Sequence, residues 1–272
     1  MHIGLIIVGD EILSGKRVDK HLPKVVELLG ARGLGLDWAR YVGDEPRRLT
    51  RDLADSFAAA REQGDVVFCC GGIGATPDDH TRQCAAAALD LPLAMHPEAR
   101  ALIVQRMQEH AAEKDEVFQA DHPDNVHRLN MAMFPVGAAL IPNPYNRIAG
   151  FSVAAGEGGV YFVPGFPVMA WPMIEWVLDQ RLAHLHRREG QREMSVVVFG
   201  GMEGLLTPLM QEVEALFPGI KVFSLPSEDH PEWGRHIELG VKGVGDALSL
   251  AYRHLMAGLQ TKALKLGPEL VR

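Results

Sequence analysis

The chain has 272 residues, of which 47% are hydrophobic and 23% charged, and its formal net charge is -8 at neutral pH. That length and apolar share suit one large α/β domain, or an ordinary domain with a smaller appendage, and exclude a disordered chain. The acidic balance argues against a nucleic-acid partner or an anionic membrane surface, since clustered Lys and Arg lead binding to phosphate polymers.

The opening segment, residues 1–8, lacks a basic leader region, and no later apolar run approaches the ~18 residues of a membrane span, so the expected location is cytoplasmic. It reads instead as a first strand, 3–8. The polar, Gly-bounded loop Gly9-Asp10-Glu11-Ile12-Leu13-Ser14-Gly15 follows it. Next come a helix near 19–31, a strand at 36–42, a helix at 45–63 entered through Asp44-Glu45-Pro46, and a strand at 65–70. Strand and helix alternate here in the manner of βαβ units, which predicts a doubly wound, mainly parallel sheet. Gly33, Gly35 and Gly64 sit where helices stop, and Pro46 sits where one starts. The three cysteines, adjacent Cys69 and Cys70 with Cys84, match neither a disulfide framework nor metal-ligand spacing and are expected as buried thiols.

The strand ending at Cys70 runs directly into Gly71-Gly72-Ile73-Gly74-Ala75-Thr76-Pro77-Asp78-Asp79-His80-Thr81, with a helix expected near 78–89. Glycines between a strand and a helix start let bare N–H groups approach an anion. A tight turn without a ligand is the plainer alternative, and a capping box from Thr76 to Asp79, with Pro77 as first helical residue, accounts for part of the tetrapeptide. It leaves Asp78 unexplained. Two carboxylates beside an anion site call for a bridging divalent cation or a donor group on the ligand. In the 2-1-3 strand order the first loop lies next to this one, at the switch point where open α/β sheets bind ligands. Asp10, Glu11, Asp78 and Asp79 around one crevice are the ingredients of a magnesium-type site, although Asp10 or Glu11 alone could cap the next helix.

Beyond residue 92 the pattern gives a helix at 97–113, a Pro- and Asn-rich irregular stretch at 122–147, strands at 150–154 and 160–163, and a helix at 169–185 entered through Pro164-Gly165-Phe166-Pro167. Asn143-Pro144-Tyr145-Asn146 reads as a turn. The apolar stripe Met169, Trp171, Met173, Ile174, Trp176 and Val177 reads as core, and no histidine pair has zinc-ligand spacing with a third partner. The charged segment 186–193 is the candidate linker. Strand 195–199, helix 203–217, strands 221–225 and 236–241 and helix 245–259 follow, a β-α-β-β-α order that predicts a small α+β appendage. The expected domains are therefore 1–185 and 194–262.

These motifs resemble the molybdopterin-binding domain shared by MogA, MoaB and gephyrin, most closely that of the competence/damage-inducible protein A (CinA) branch. The resemblance rests on the loops 9–15 and 71–81, on Asn143-Pro144 with Ala149-Gly150-Phe151, and on Pro164-Gly165-Phe166-Pro167, and it spans about residues 1–180. It implies a MogA-like three-layer α/β fold and a pocket for molybdopterin or a nucleotide-like diphosphate. Carried over, Gly71, Gly72, Gly74, Thr76 and Thr81 cradle phosphate, and Asp78 and Asp79 are the acidic, catalytic or metal-binding pair. Asp10, Glu11, Ser14, Asn143, Pro164 and Gly165 complete the ligand site. Mg2+ or another divalent cation is a possible cofactor, and homo-oligomers are common in the family. The CinA branch is also associated with metal-dependent hydrolysis of ADP-ribose, and its nicotinamide-mononucleotide amidase domain is not expected in a chain of this length. Three positions depart from the CinA pattern: His21 replaces an Asn, Asn146 a glycine and Met169 an acidic residue. The sequence thus supports a small-molecule binding protein first, a divalent-metal ADP-ribose pyrophosphatase second, and a non-catalytic regulatory module third.

Overall fold

The computed structural model describes residues 1–119, 122–187 and 192–272. They form two compact units, Met1–Leu29 with Gly35–His186, and Gly30–Leu34 with Arg187–Arg272. The expected linker at 186–193 falls partly outside the described residues. No described helix is long and apolar enough to cross a membrane.

The first unit is built on β1 (Ile3–Val8), β2 (Trp38–Val42) and β3 (Val66–Cys70), in the expected 2-1-3 order and all parallel. Every residue of β1 and β3 is buried. Strands covered on both faces need apolar side chains at every position, which is why these runs show no alternation. After β1 come the short α1 (Asp10–Leu13) and α2 (His21–Gly30). Between β2 and β3 lies α3 (Pro46–Gln63), where Glu45 accepts from the N–H groups of Arg47 and Arg48 and Gly64 closes the helix in the left-handed region.

The chain continues through α4 (Thr81–Ala88), β4 (Leu93–Met95), α5 (Pro97–Glu113), α6 (Pro123–Leu129), β5 (Met133–Pro135), β6 (Ala139–Ile141), β7 (Gly150–Ala155), β8 (Gly158–Val163) and α7 (Pro167–Gln180). β8 extends the parallel sheet beside β3, while β7 and β6 return antiparallel, giving the order β2-β1-β3-β8-β7-β6. The stretch expected to be irregular, 122–147, holds α6, β5 and β6. Its strands are three residues long, too short to show a period, and β5 pairs with β4 in a separate two-stranded sheet.

The core between α3 and the sheet is a file of aromatic rings. Phe134 stacks on Phe151 at 4.7 Å, Phe151 on Phe162 at 4.3 Å, and Phe57 of α3 meets Phe162 at 6.2 Å. Because successive residues of β8 face opposite sides, Phe162 enters this file while Tyr161 turns to the other face and meets Phe68.

The second unit contains β9 (Arg192–Phe199), α8 (Glu203–Leu216), β10 (Lys221–His230), β11 (Gly234–Gly243), α9 (Asp246–Gln260) and β12 (Lys265–Val271). Its antiparallel sheet runs β10-β11-β9-β12. Val196, Val198, Leu239 and Val241 pack against Leu206, Leu209 and Val213 of α8 and Leu248 and Leu255 of α9. The expected β-α-β-β-α order thus gains a final strand past residue 262. Gly267 and Pro268 obscure it in the sequence, and its register against β9 shifts between Leu266 and Glu269. Its end is fixed by Arg272, whose guanidinium donates to both oxygens of the buried Glu238 carboxylate, beside a bond from Ser195.

Phe151 is fully buried in the middle of the ring file. Replacement by alanine is expected to lower the stability of the first unit by about 3–5 kcal/mol, read as a reduced urea midpoint. A loss under about 1 kcal/mol would mean that the file is not a main support of the unit.

Candidate functional site

The loop after β3 is held at three places. Gly71 donates to the Val163 carbonyl at the end of β8. Thr81, with no exposed surface, donates its N–H to the Gly72 carbonyl at 2.9 Å and its hydroxyl to the Gly71 carbonyl at 3.0 Å. A side chain on Gly71 would collide with the Val8 carbonyl of β1, and one on Gly72 with the Thr81 hydroxyl, and both residues adopt positive φ, 109° and 68°. Backbone has to pass this close to its neighbours, and only glycine allows it.

The expected helix start at 78 is corrected to Thr81. The Asp79 carboxylate accepts from the Thr76 N–H at 2.8 Å and from the Thr76 hydroxyl, while the Asp79 N–H donates to the Thr76 carbonyl at 3.0 Å. Only the half of a capping box in which the acid reaches back to the Thr76 N–H is formed, and it closes a free-standing turn, so Thr76 to His80 remains loop. Hydrogen bonding within the turn holds the fully exposed Asp78 carboxyl below its usual range.

The first loop meets this one. Gly9 donates to the Val42 carbonyl, and Asp10 and Asp44 clasp each other, each carboxylate accepting the other's N–H at 3.2 and 2.9 Å. Burial raises the Asp44 pKa, the hydrogen bond from Asp10 opposes that, and the charges of Asp10, Glu11 and Asp78 raise it further. Three neighbouring carboxylates thus act on Asp44.

A cavity of about 400 Å³ lies between the loops, of the size that takes a small-molecule ligand. Of the sequence-predicted residues, Glu11, Gly71, Gly72, Gly74, Thr76, Asp78, Asp79, Pro164 and Gly165 line it. Asp10, Ser14, Thr81 and Asn143 do not. Asp10 is turned into its clasp with Asp44, and Ser14 donates its N–H back to the Asp10 carbonyl at the end of α1. Thr81 spends its hydroxyl inside the loop, and the buried Asn143 amide is bonded to Asn146, to the Ile148 carbonyl and to the Tyr145 N–H. Thr81 and Asn143 support the walls through buried hydrogen bonds, while Asp10 and Ser14 are exposed. A second cavity of about 460 Å³, lined by residues of α5, α6 and the segment between them, is remote in sequence from both loops.

Asp44, Arg17, Met131 and Ile148 also line the site and were not anticipated. Asp44 reads locally as a helix cap, and Arg17 follows a loop whose acidic residues draw the attention; neither carries a periodic signal. The three departures from the CinA pattern gather at the cavity. Asn146 and Met169 line it and contact each other through Nδ2 and Sδ at 3.2 Å. His21 is buried, and its Nε2 bonds the carbonyl of Gly165, in the turn that lies against Gly71. The carbonyl fixes Nε2 as the donor, which leaves the buried Nδ1 as an acceptor without a protein partner. Among the described residues no group of three or more His, Cys, Asp or Glu side chains stands close enough to hold a metal ion.

Comparison with known proteins places this geometry. The family described as "Probable molybdopterin binding domain" matches residues 4–184. A CinA-like protein of Anaeromyxobacter sp. (strain K) is 33% identical over 186 residues, covering 68% of this chain and 42% of that protein. One from Syntrophotalea carbinolica is 29% identical over 227 residues, covering 80% of this chain and 51% of the relative. The chain thus spans about half, or less, of the length of these curated relatives. The crystal structure of the protein CinA from Thermoplasma acidophilum, described as of unknown function, has a TM-score of 0.55 at 23% identity and covers 66% of this chain and 98% of that one, which supports the fold.

Two outcomes follow from the geometry. Gly72→Ala forces a side chain onto Thr81 and a strained φ, and is expected to cost about 1–3 kcal/mol in urea unfolding; an unchanged midpoint would remove Thr81 from its role as clamp. Asp44→Asn removes a carboxylate whose pKa is raised first by burial and then by the negative charges of Asp10, Glu11 and Asp78, so that its ionised form is unfavourable in the folded state. Such a group is least unfavourable when protonated, so the substitution is expected to raise the melting midpoint at pH 7, and the gain is expected to vanish as pH falls through the carboxylate range. A gain that persists at low pH would point to a cause other than the ionised carboxylate.

Proposed function

The chain belongs to the molybdopterin-binding domain family, and from that premise we propose that its cavity binds a phosphorylated pterin, molybdopterin itself or a nucleotide-like diphosphate. The supporting observation is the division of the cavity wall. Glycine backbone at 72 and 74 can offer N–H groups to an anion, while Glu11, Asp44 and Asp78 offer acceptors to a donor-bearing heterocycle, and Met131, Ile148 and Met169 give it an apolar surface. Backbone donors carry no charge and leave the site open to phosphate in a protein that is acidic overall. With molybdopterin as the ligand, the protein acts in molybdenum cofactor biosynthesis.

One observation favours hydrolysis as a second reading. Glu11, Asp44, Asp78 and Asp79 line one cavity, a clustering of carboxylates of the kind that metal-assisted hydrolysis uses. Carboxylates are the hard oxygen donors that Mg2+ and similar ions take, and here the phosphate oxygens of the ligand would complete the shell. Asp78 and Asp79 would hold such an ion, which would supply polarisation of a phosphoryl oxygen and activation of water. The chain's own residues would hold the diphosphate at the loop and take the proton of the attacking water onto a carboxylate.

The deciding measurement is thermal stability with molybdopterin, ADP-ribose, AMP and divalent metals, alone and combined, since a ligand that binds the native state raises the midpoint. A shift with molybdopterin, lost in Asp78→Ala, is expected. A shift restricted to metal with ADP-ribose, accompanied by release of AMP, would favour the pyrophosphatase, and no shift with any of them would overturn both readings.

A further inference from the structure

Among the described residues, four acidic residues line the cavity, Glu11, Asp44, Asp78 and Asp79, and a single cationic one, Arg17. The loop after β1 builds its position. The chain reverses at Gly15, where φ is 72° and the N–H donates to the Ile12 carbonyl at 3.1 Å. The Arg17 N–H then reaches back to the Glu11 carbonyl at 3.0 Å, so the two residues are tied through backbone and both line the cavity. Lys16 and Val18, on either side of Arg17, are exposed and do not line it.

The guanidinium is uncommitted. Among the described residues no carboxylate forms an ion pair with it, although four acidic residues share its cavity. Its planar donor fork is therefore open to a ligand. On the other loop, the Gly71 N–H is taken by the Val163 carbonyl, and Gly72 and Gly74 can offer theirs. Two kinds of donor thus bound one cavity, neutral N–H groups on the glycine loop and a charged fork on the loop after β1. A single phosphate is satisfied by one of them. An anion with two phosphates has a group for each, and paired phosphate oxygens match a guanidinium better than they match a point charge. A volume of about 400 Å³ accommodates an anion longer than one phosphate.

We propose that Arg17 is the residue by which the site selects a diphosphate over a single phosphate: the glycine N–H groups take one phosphate and the Arg17 guanidinium takes the other. The inference rests on the reading of this cavity as an anion site and deepens it, because the glycine loop alone recognises a feature common to every phosphorylated molecule. Arg17 supplies the discrimination, and it also sets one positive charge against the acidic residues of the same wall.

The test is calorimetric titration of the full chain with inorganic pyrophosphate and, separately, with orthophosphate, each with and without Mg2+. The variants are Arg17→Gln and, as a control, Lys16→Gln, which removes the same charge one position away. Both positions are exposed, so both variants are expected to melt with the wild type. The wild type is expected to prefer pyrophosphate. Arg17→Gln is expected to weaken pyrophosphate binding about tenfold, the order of one charge-assisted contact, and to leave orthophosphate near its wild-type affinity. Lys16→Gln is expected to change neither. Equal loss of both anions in Arg17→Gln, unchanged pyrophosphate affinity, the same loss in Lys16→Gln, or a wild type without preference overturns the proposal. A wild-type chain that binds neither anion would instead sink the reading of the cavity as an anion site, and the role of Arg17 with it.

Discussion

Thr81 clamps the loop on which the site depends. Its N–H reaches the Gly72 carbonyl and its hydroxyl the Gly71 carbonyl, while Gly71 donates to the end of β8. Buried backbone groups have to be paired, and these bonds pair the carbonyl side of the loop through protein. Thr81 thereby sets the path of residues 71 and 72, and α4 begins where its clamp is made. The residue is functional through its neighbours, without touching the cavity.

The acidic residues divide the same way. Asp10 and Asp44 tie the first loop to the end of β2, Asp79 ties the turn after the glycines and also lines the cavity, and Glu11, Asp44 and Asp78 line it with Asp79. Asp44 and Asp79 belong to both groups, and the raised pKa of Asp44 records the cost of bringing these loops together. The field at the cavity is thus set by positions whose first task is local folding, with Arg17 as a cation on the same wall.

The parallel half of the sheet was legible in the sequence because β1 and β3 are continuous apolar runs and α3 carries both a cap and a stop. The glycine loop was legible because its glycines are forced by backbone crowding. Legibility failed where geometry is set by contacts distant in sequence. Three-residue strands such as β4, β5 and β6 are defined by their partners, and β12 is interrupted by Gly267 and Pro268. Asp44 and Arg17 enter the site because β2 ends beside β1, which no local pattern announces. Of the expected capping box only the bond from the Thr76 N–H to Asp79 is formed, and it starts no helix, because Asp79 turned back to Thr76 serves a turn as well as it serves a helix.

The two turns that frame the cavity, at Gly71 and Gly165, lie close together: a methyl group added at Gly165 would just meet the Gly71 Cα, at 3.4 Å. They are separated by most of the first unit in sequence, and the bond from Gly71 is to Val163, at the last position of β8. Contacts of such long span form late, after the loops that close them have been ordered. The recognition motif is therefore present in the chain well before it can recognise anything. A nascent chain that has not yet delivered β8 has its glycines without the partner that shapes them, and competence to bind arrives with the completed sheet.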